Sequence, residues 1–174
     1  MKQASFKRFT IFFDQYLFIS ITLLSVMGLF FLYSASQGNI NIVMKQAIFV
    51  GFGIFLMFIL SQPDPDIYKI LSLIFLVTSL LLVLITILFA KEINGAKRWL
   101  DLGVFTLQPS ELVKIALPIY LASYLFEKPI PIDIRNTFKS LLIIGICFFL
   151  IARQPDLGTS LVVSMAGIYI LFFA

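Results

Sequence analysis

Six long apolar runs separated by short polar breaks leave this chain one kind of fold. A helix that crosses a bilayer needs roughly 20 mostly apolar residues, and runs of about that length occupy 15–35, 42–60, 71–90, 110–126, 134–152 and 157–174. Of the 174 residues, 60% are hydrophobic and only 13% charged, more apolar surface than a globule of this size can hide. Lipid offers no partner to a backbone amide, so each run must satisfy its hydrogen bonds internally, which selects helices. The expectation is an all-α polytopic membrane protein, a single membrane domain over 1–174. The first run carries no small-residue cleavage site and is expected to be retained as a span. A lone cysteine, Cys147, and the absence of histidine argue against a disulfide and a zinc site. The net charge of +4 does not point to nucleic acid, because membrane proteins gather basic residues at span ends and no basic and aromatic residues interleave here.

The fourth and fifth runs are weak. Only 115–126 and 140–152 within them are free of charge, and Pro118 interrupts the fourth. A lysine at the centre of a span costs about 2.5–3.5 kcal/mol, so Lys114 must snorkel, pair or face a polar cavity. Short, proline-broken helices mark binding sites in membrane proteins. Arg135 and Lys139, four apart on one helical face, are expected to snorkel to the interface.

Orientation rests on the first helix. Lys2, Lys7 and Arg8 precede it and 37–41 contains no basic residue, which places an amino-terminal tail at 1–13 in the cytoplasm. Alternation then gives an external loop at 91–109 and a cytoplasmic loop at 127–139. Lys91, Lys97 and Arg98 thereby fall on the side that usually avoids positive charge, which argues for an anionic ligand there. The sixth run ends in "GIYILFFA" with no polar flank, and the expectation is a chain truncated within its sixth span.

Gln-Pro doublets at 62, 108 and 154 recur at an even interval, but the spans between them differ in number, so no internal duplication is read from them. The doublets at 108 and 154 do favour helix starts, with Ser110 and Asp156 as candidate caps. Glu111 and Lys114 lie three apart on one face of the fourth span. They are either an ion pair that admits a lysine to the membrane or, joined with Lys97 and Arg98, a basic pocket for a phosphate-bearing lipid head group. Trp99 reads as an interface anchor and Asp101, before Gly103, as a turn residue.

The passages "NGAKRWLDLGVFTLQPSELVKIALPIYLA" (94–122), "ARQPDLGTSLVV" (152–163) and "YSAS" (33–36) resemble the signature stretches of the SEDS family (shape, elongation, division and sporulation), closer to its rod-elongation, RodA-like branch than to its division branch. The resemblance implies a ten-span peptidoglycan glycosyltransferase of the bacterial inner membrane that polymerises lipid II beside a class B penicillin-binding protein. Arg98, Glu111, Lys114 and Asp156 stand where the family's motifs carry polar residues important for function. With Lys97 they form the expected substrate-binding set. The family's proposed catalytic aspartate follows the seventh span, beyond residue 174, so no catalytic residue is expected in this chain. Transfer to lipid II expels a polyprenyl pyrophosphate, which calls for a carboxylate base and for cations on the leaving group; Lys97, Arg98 and Lys114 are the candidate cations. No cofactor is read from the residues, though a divalent cation is compatible with this chemistry. A lipid flippase and a non-catalytic docking subunit remain the alternatives at this point.

Overall fold

The computed structural model describes residues 14–90, 92, 95–101, 103, 106–126 and 128–174. The proposed tail at 1–13 and parts of the loops at 91–109 and 127–139 lie outside the described residues. Six helices make up most of the rest: α1 (Gln15–Ala35), α2 (Ile40–Leu60), α3 (Pro65–Phe89), α4 (Pro109–Phe126), α5 (Ile134–Ala152) and α6 (Leu157–Phe173). They coincide with the expected spans, and the protein is all-α and polytopic.

The differences lie at the helix starts and have local causes. α3 begins at Pro65, earlier than expected, because proline is preorganised for a first helical position and Asp66 complements the N-terminal dipole. α2 begins at Ile40 because the Asn39 side chain accepts the Asn41 amide at 3.1 Å. Ser110, expected as a cap of the fourth helix, lies inside its first turn instead, since Pro109 takes the first helical position. Asp156 does cap α6, accepting the Thr159 amide at 3.2 Å.

α1, α2, α3 and α5 are long and apolar enough to cross a membrane. α6 has 17 residues, about 26 Å at 1.5 Å per residue, a little short of a hydrocarbon core of about 30 Å. α4 has 18 residues and carries Glu111, Lys114 and Pro118.

The chain forms two compact units, Met1–Asp64 and Pro65–Ala174. In the first, α1 and α2 make a helical hairpin. Its turn closes α1 in a Schellman motif: the Gly38 amide bonds the Tyr33 carbonyl at 3.0 Å and the Gln37 amide bonds Ser34 at 3.2 Å. Gln37 holds the positive φ that this motif requires, 54°, and Gly38 follows it with a φ of 78°.

In the second unit α4 packs against α3, α5 and α6. The buried faces follow a 3–4 spacing: Ser72, Leu76, Ser79, Val83 and Thr86 on α3, Ser140, Ile144, Cys147 and Ile151 on α5, and Ser160, Val163 and Gly167 on α6. That is the seam of helices packed knobs-into-holes. Lipid is as apolar as leucine and does not drive helices together, so close approach through small residues must. On α3 the seam hydroxyls stay paired within their own helix, Ser79 to the Phe75 carbonyl and Thr86 to the Leu82 carbonyl, both at 2.7 Å, whereas the buried Ser140 hydroxyl on α5 has no partner among the described residues.

Gly167 marks the tightest approach. A Cβ there would lie 2.7 Å from Cγ1 of Ile144 and 3.3 Å from Cδ1 of Leu121. Overpacking costs about 1–3 kcal/mol, while replacing a helical glycine by alanine returns at most about 1 kcal/mol. Gly167→Ala is therefore expected to lower the thermal unfolding midpoint of the purified protein in detergent. Gly145→Ala on α5, where a Cβ meets nothing within 4 Å, should leave the midpoint unchanged or raise it. Equal shifts in the two variants would show that the seam is not packed this way.

A polar end of the four-helix unit as candidate functional site

α3 and α5 finish, and α4 and α6 begin, at one end of the Pro65–Ala174 unit. The segment joining α3 to α4 folds over this end as a two-stranded antiparallel ribbon, β1 (Leu100–Asp101) and β2 (Thr106–Leu107), with Leu100 opposite Leu107. The expected external loop thus contains a ribbon that the sequence does not show, because two-residue strands are too short to carry a period. Asp101 acts as the expected turn former, its carboxylate accepting the Gly103 amide at 2.9 Å while Gly103 holds a φ of 80°.

The five expected site residues separate into four places. Glu111 and Lys114 form an ion pair at 2.6 Å, with Lys114 32% and Glu111 51% exposed. Helical spacing places them together on the first turns of α4. One turn later Pro118 lacks the amide that would bond the Lys114 carbonyl in the regular helical pattern. The pair in water would be worth under about 1 kcal/mol; its consequence here is that a cation and a carboxylate are held at a membrane end without being buried.

Asp156 forms the second group with Gln108. Its carboxylate is only 8% exposed. One oxygen caps α6, and the other accepts from Nε2 of Gln108 at 2.9 Å. The same Nε2 lies 3.0 Å from Oγ of Ser110, which is fully buried. A buried carboxylate is tolerable when it meets donors and a helix N-terminus, and Asp156 has both. Gln108 thereby ties the start of α4 to the start of α6.

Arg98 forms the third group. Its Nε donates to the Gln154 carbonyl at 3.1 Å and its Nη2 to the Pro155 carbonyl. These carbonyls follow the C-terminus of α5, where the helix dipole favours a cation. Arg98 clamps the α3–α4 segment onto the α5–α6 turn. Among the described residues no hydrogen bond or ion pair joins Lys97 or Arg98 to Glu111 or Lys114. Lys97 lines a cavity of about 210 Å³ together with Ile87, Glu92, Gly95, Arg153, Gln154 and Pro155. The Gln154 side chain is 1% exposed and neither of its amide atoms is paired, a burial that costs about 1–3 kcal/mol unless something meets it.

Gln108 and Gln154 escaped the sequence reading as site residues. The signal that could have found them was the repeated Gln-Pro doublet. Those at 108 and 154 open helices on the same end of the unit, and their neighbourhoods are bonded through Gln108 and Asp156.

The family model for the cell cycle proteins FtsW, RodA and SpoVE matches residues 14–174. The chain is 30% identical over 161 residues to the peptidoglycan glycosyltransferase MrdB of Escherichia coli K12, an alignment covering 92% of this chain and 44% of that protein. It is 33% identical over 153 residues to the peptidoglycan glycosyltransferase RodA of Treponema pallidum, covering 85% of this chain and 35% of that one. Among solved structures it superimposes on the rod shape determining protein RodA of Thermus thermophilus with a TM-score of 0.85 at 29% identity, over 94% of this chain and 54% of that one. It superimposes equally, with a TM-score of 0.85, on a chain of a peptidoglycan synthase complex that coordinates polymerization and crosslinking, of which it covers 48%. The chain spans less than half the length of both curated relatives. The motifs, the helices and these matches agree that the chain belongs to the FtsW, RodA and SpoVE family of cell cycle proteins, the SEDS family.

Proposed function

We propose that this chain forms the amino-terminal part of a peptidoglycan glycosyltransferase, which polymerises lipid II at the outer face of the bacterial inner membrane for elongation and rod shape. The observation that carries this reading is the Glu111–Lys114 pair, half exposed at the polar end, in a chain related along nearly its whole length to proteins named for this activity. In the transfer, the attacking sugar hydroxyl loses its proton as it bonds to the anomeric carbon, and the bond to the lipid pyrophosphate breaks. A cation near that pyrophosphate stabilises the charge that grows on it. Lys114 supplies this cation, and Glu111 aims it. Arg98 acts differently, by holding the α3–α4 segment on the α5–α6 turn. The partner is a class B penicillin-binding protein, a reading supported by the likeness to a chain of the peptidoglycan synthase complex.

In the natural protein, assayed with that partner present and its transpeptidase blocked, Lys114→Ala should cut polymer formation from lipid II by roughly tenfold to a hundredfold, the usual worth of a charge-assisted contact. Its membrane insertion and accumulation should stay normal. Arg98→Ala should instead lower the thermal unfolding midpoint, because two carbonyls lose their donor. Normal polymerisation by Lys114→Ala, read as glycan length on a gel, would overturn the role given to the pair.

The orientation that this function needs puts the amino terminus in the cytoplasm and Trp99 with the ribbon outside. A cysteine at Thr106, exposed on β2, is expected to react with a membrane-impermeant thiol reagent in intact spheroplasts. A cysteine at Asp133, exposed before α5, should not, and the native Cys147 is buried and gives little background. Labelling at Asp133 alone would invert the topology.

A further inference from the structure

We propose that the cavity between the 92–97 segment and the α5–α6 turn is a binding site for a phospholipid head group that carries both a phosphate and a primary ammonium. Its wall holds two cations, Lys97 and Arg153, one carboxylate, Glu92, and the buried, unpaired carboxamide of Gln154. Among the described residues none of these three charged side chains has an ion-pair partner, so both signs of charge remain available to a ligand. Phosphate oxygens are strong acceptors that suit ammonium, guanidinium and amide N–H groups. An ammonium would complete the set by meeting Glu92. The Arg153 guanidinium sits 4.8 Å from the centre of the Phe149 ring, a cation–π contact, and among the described residues its N–H groups make no hydrogen bond.

The level of the cavity in the membrane fits this ligand. Ile87 lies in the last turn of α3 and Arg153 directly after α5, so the site opens where two spans end, at the depth of lipid head groups. Its volume of about 210 Å³ admits a small polar head group rather than a glycan. The site is separate in its contacts from the Glu111–Lys114 pair and from the Asp156–Gln108 bond.

Phosphate could reach this cavity from a membrane phospholipid or from a pyrophosphate-bearing lipid, and the experiment separates them. The purified natural protein in detergent is titrated with phosphatidylethanolamine, phosphatidylcholine, phosphatidylglycerol and undecaprenyl pyrophosphate of defined composition, and the retained lipid is read by native mass spectrometry. Phosphatidylethanolamine should be held at least tenfold more tightly than the other two phospholipids. Gln154→Leu should weaken it at least tenfold while leaving the unfolding midpoint equal or higher, because the unpaired amide is removed with little change of volume. Glu92→Gln, at an exposed position that cannot unfold the protein, should abolish the preference for phosphatidylethanolamine over phosphatidylglycerol. Equal retention of all three phospholipids, or retention unchanged in both variants, would overturn the site. Retention of undecaprenyl pyrophosphate alone, lost in Gln154→Leu, would overturn the phospholipid assignment and give the cavity to a pyrophosphate lipid instead.

Discussion

Lipid cannot hydrogen bond to a peptide, and that single restriction governs this protein from its helices to its polar end. Each span must close its own backbone bonds, and on α3 the buried hydroxyls do the same: Ser72, Ser79 and Thr86 all bond back to carbonyls of their own helix. Because these hydroxyls are satisfied locally, they can serve as small surfaces in the seam rather than as polar liabilities. The seam therefore sets small residues among leucine, isoleucine and valine. Serine, alanine, cysteine and glycine recur at the contact positions, and the bulky aromatics sit on exposed faces, Phe49, Phe52, Phe138 and Phe172 among them. In a water-soluble bundle the arrangement would be reversed.

The same restriction concentrates polarity where helices start and stop. Terminal amides and carbonyls have no intrahelical partners, and at this end four termini meet. Asp156 takes the amides of α6, Arg98 takes carbonyls beyond α5, and Gln108 links the carboxylate to the start of α4. Three side chains thus secure an end whose backbone could not be satisfied by lipid. The exposed Glu111–Lys114 pair stands on the first turns of α4, the helix start that Gln108 ties to α6.

The spans were legible in the sequence because length and apolarity alone define them, and the start of α6 followed from Asp156 after a proline; the starts at Ile40 and Pro65 did not follow, because the polar residues that open these helices lie outside the apolar runs. The packing was not legible. A helix apolar on every face shows no amphipathic stripe, so nothing in the hydropathy of α3 distinguishes buried Val83 from exposed Leu84; only the seven-residue recurrence of Ser72, Ser79 and Thr86 carried that information. At the site, Glu111 with Lys114 followed from helical spacing and Asp156 as a cap from the preceding proline. The destination of Arg98 could not follow, because its partners are backbone carbonyls some 56 residues away and a carbonyl has no identity in a sequence. Grouping Lys97 and Arg98 with Lys114 by charge and proximity joined residues that the fold sends to different neighbours.

That separation bears on which polar groups can act on a substrate. Asp156 is buried and holds two donors, and Arg98 has committed its guanidinium to two carbonyls, so a ligand would have to displace intramolecular bonds to reach either. Glu111 and Lys114 are different: their bond is to each other, they stay partly exposed, and an anion approaching Lys114 need only compete with one carboxylate. A charged ligand costs least to bind where the protein has already left charge accessible, since the desolvation of the site is then small. By this argument the motif residues divide into a frame, Arg98, Gln108 and Asp156, and an accessible pair on α4 that is the proposed contact for an anionic ligand. Substitutions in the frame should act through stability and position, whereas those in the pair should act on the ligand itself.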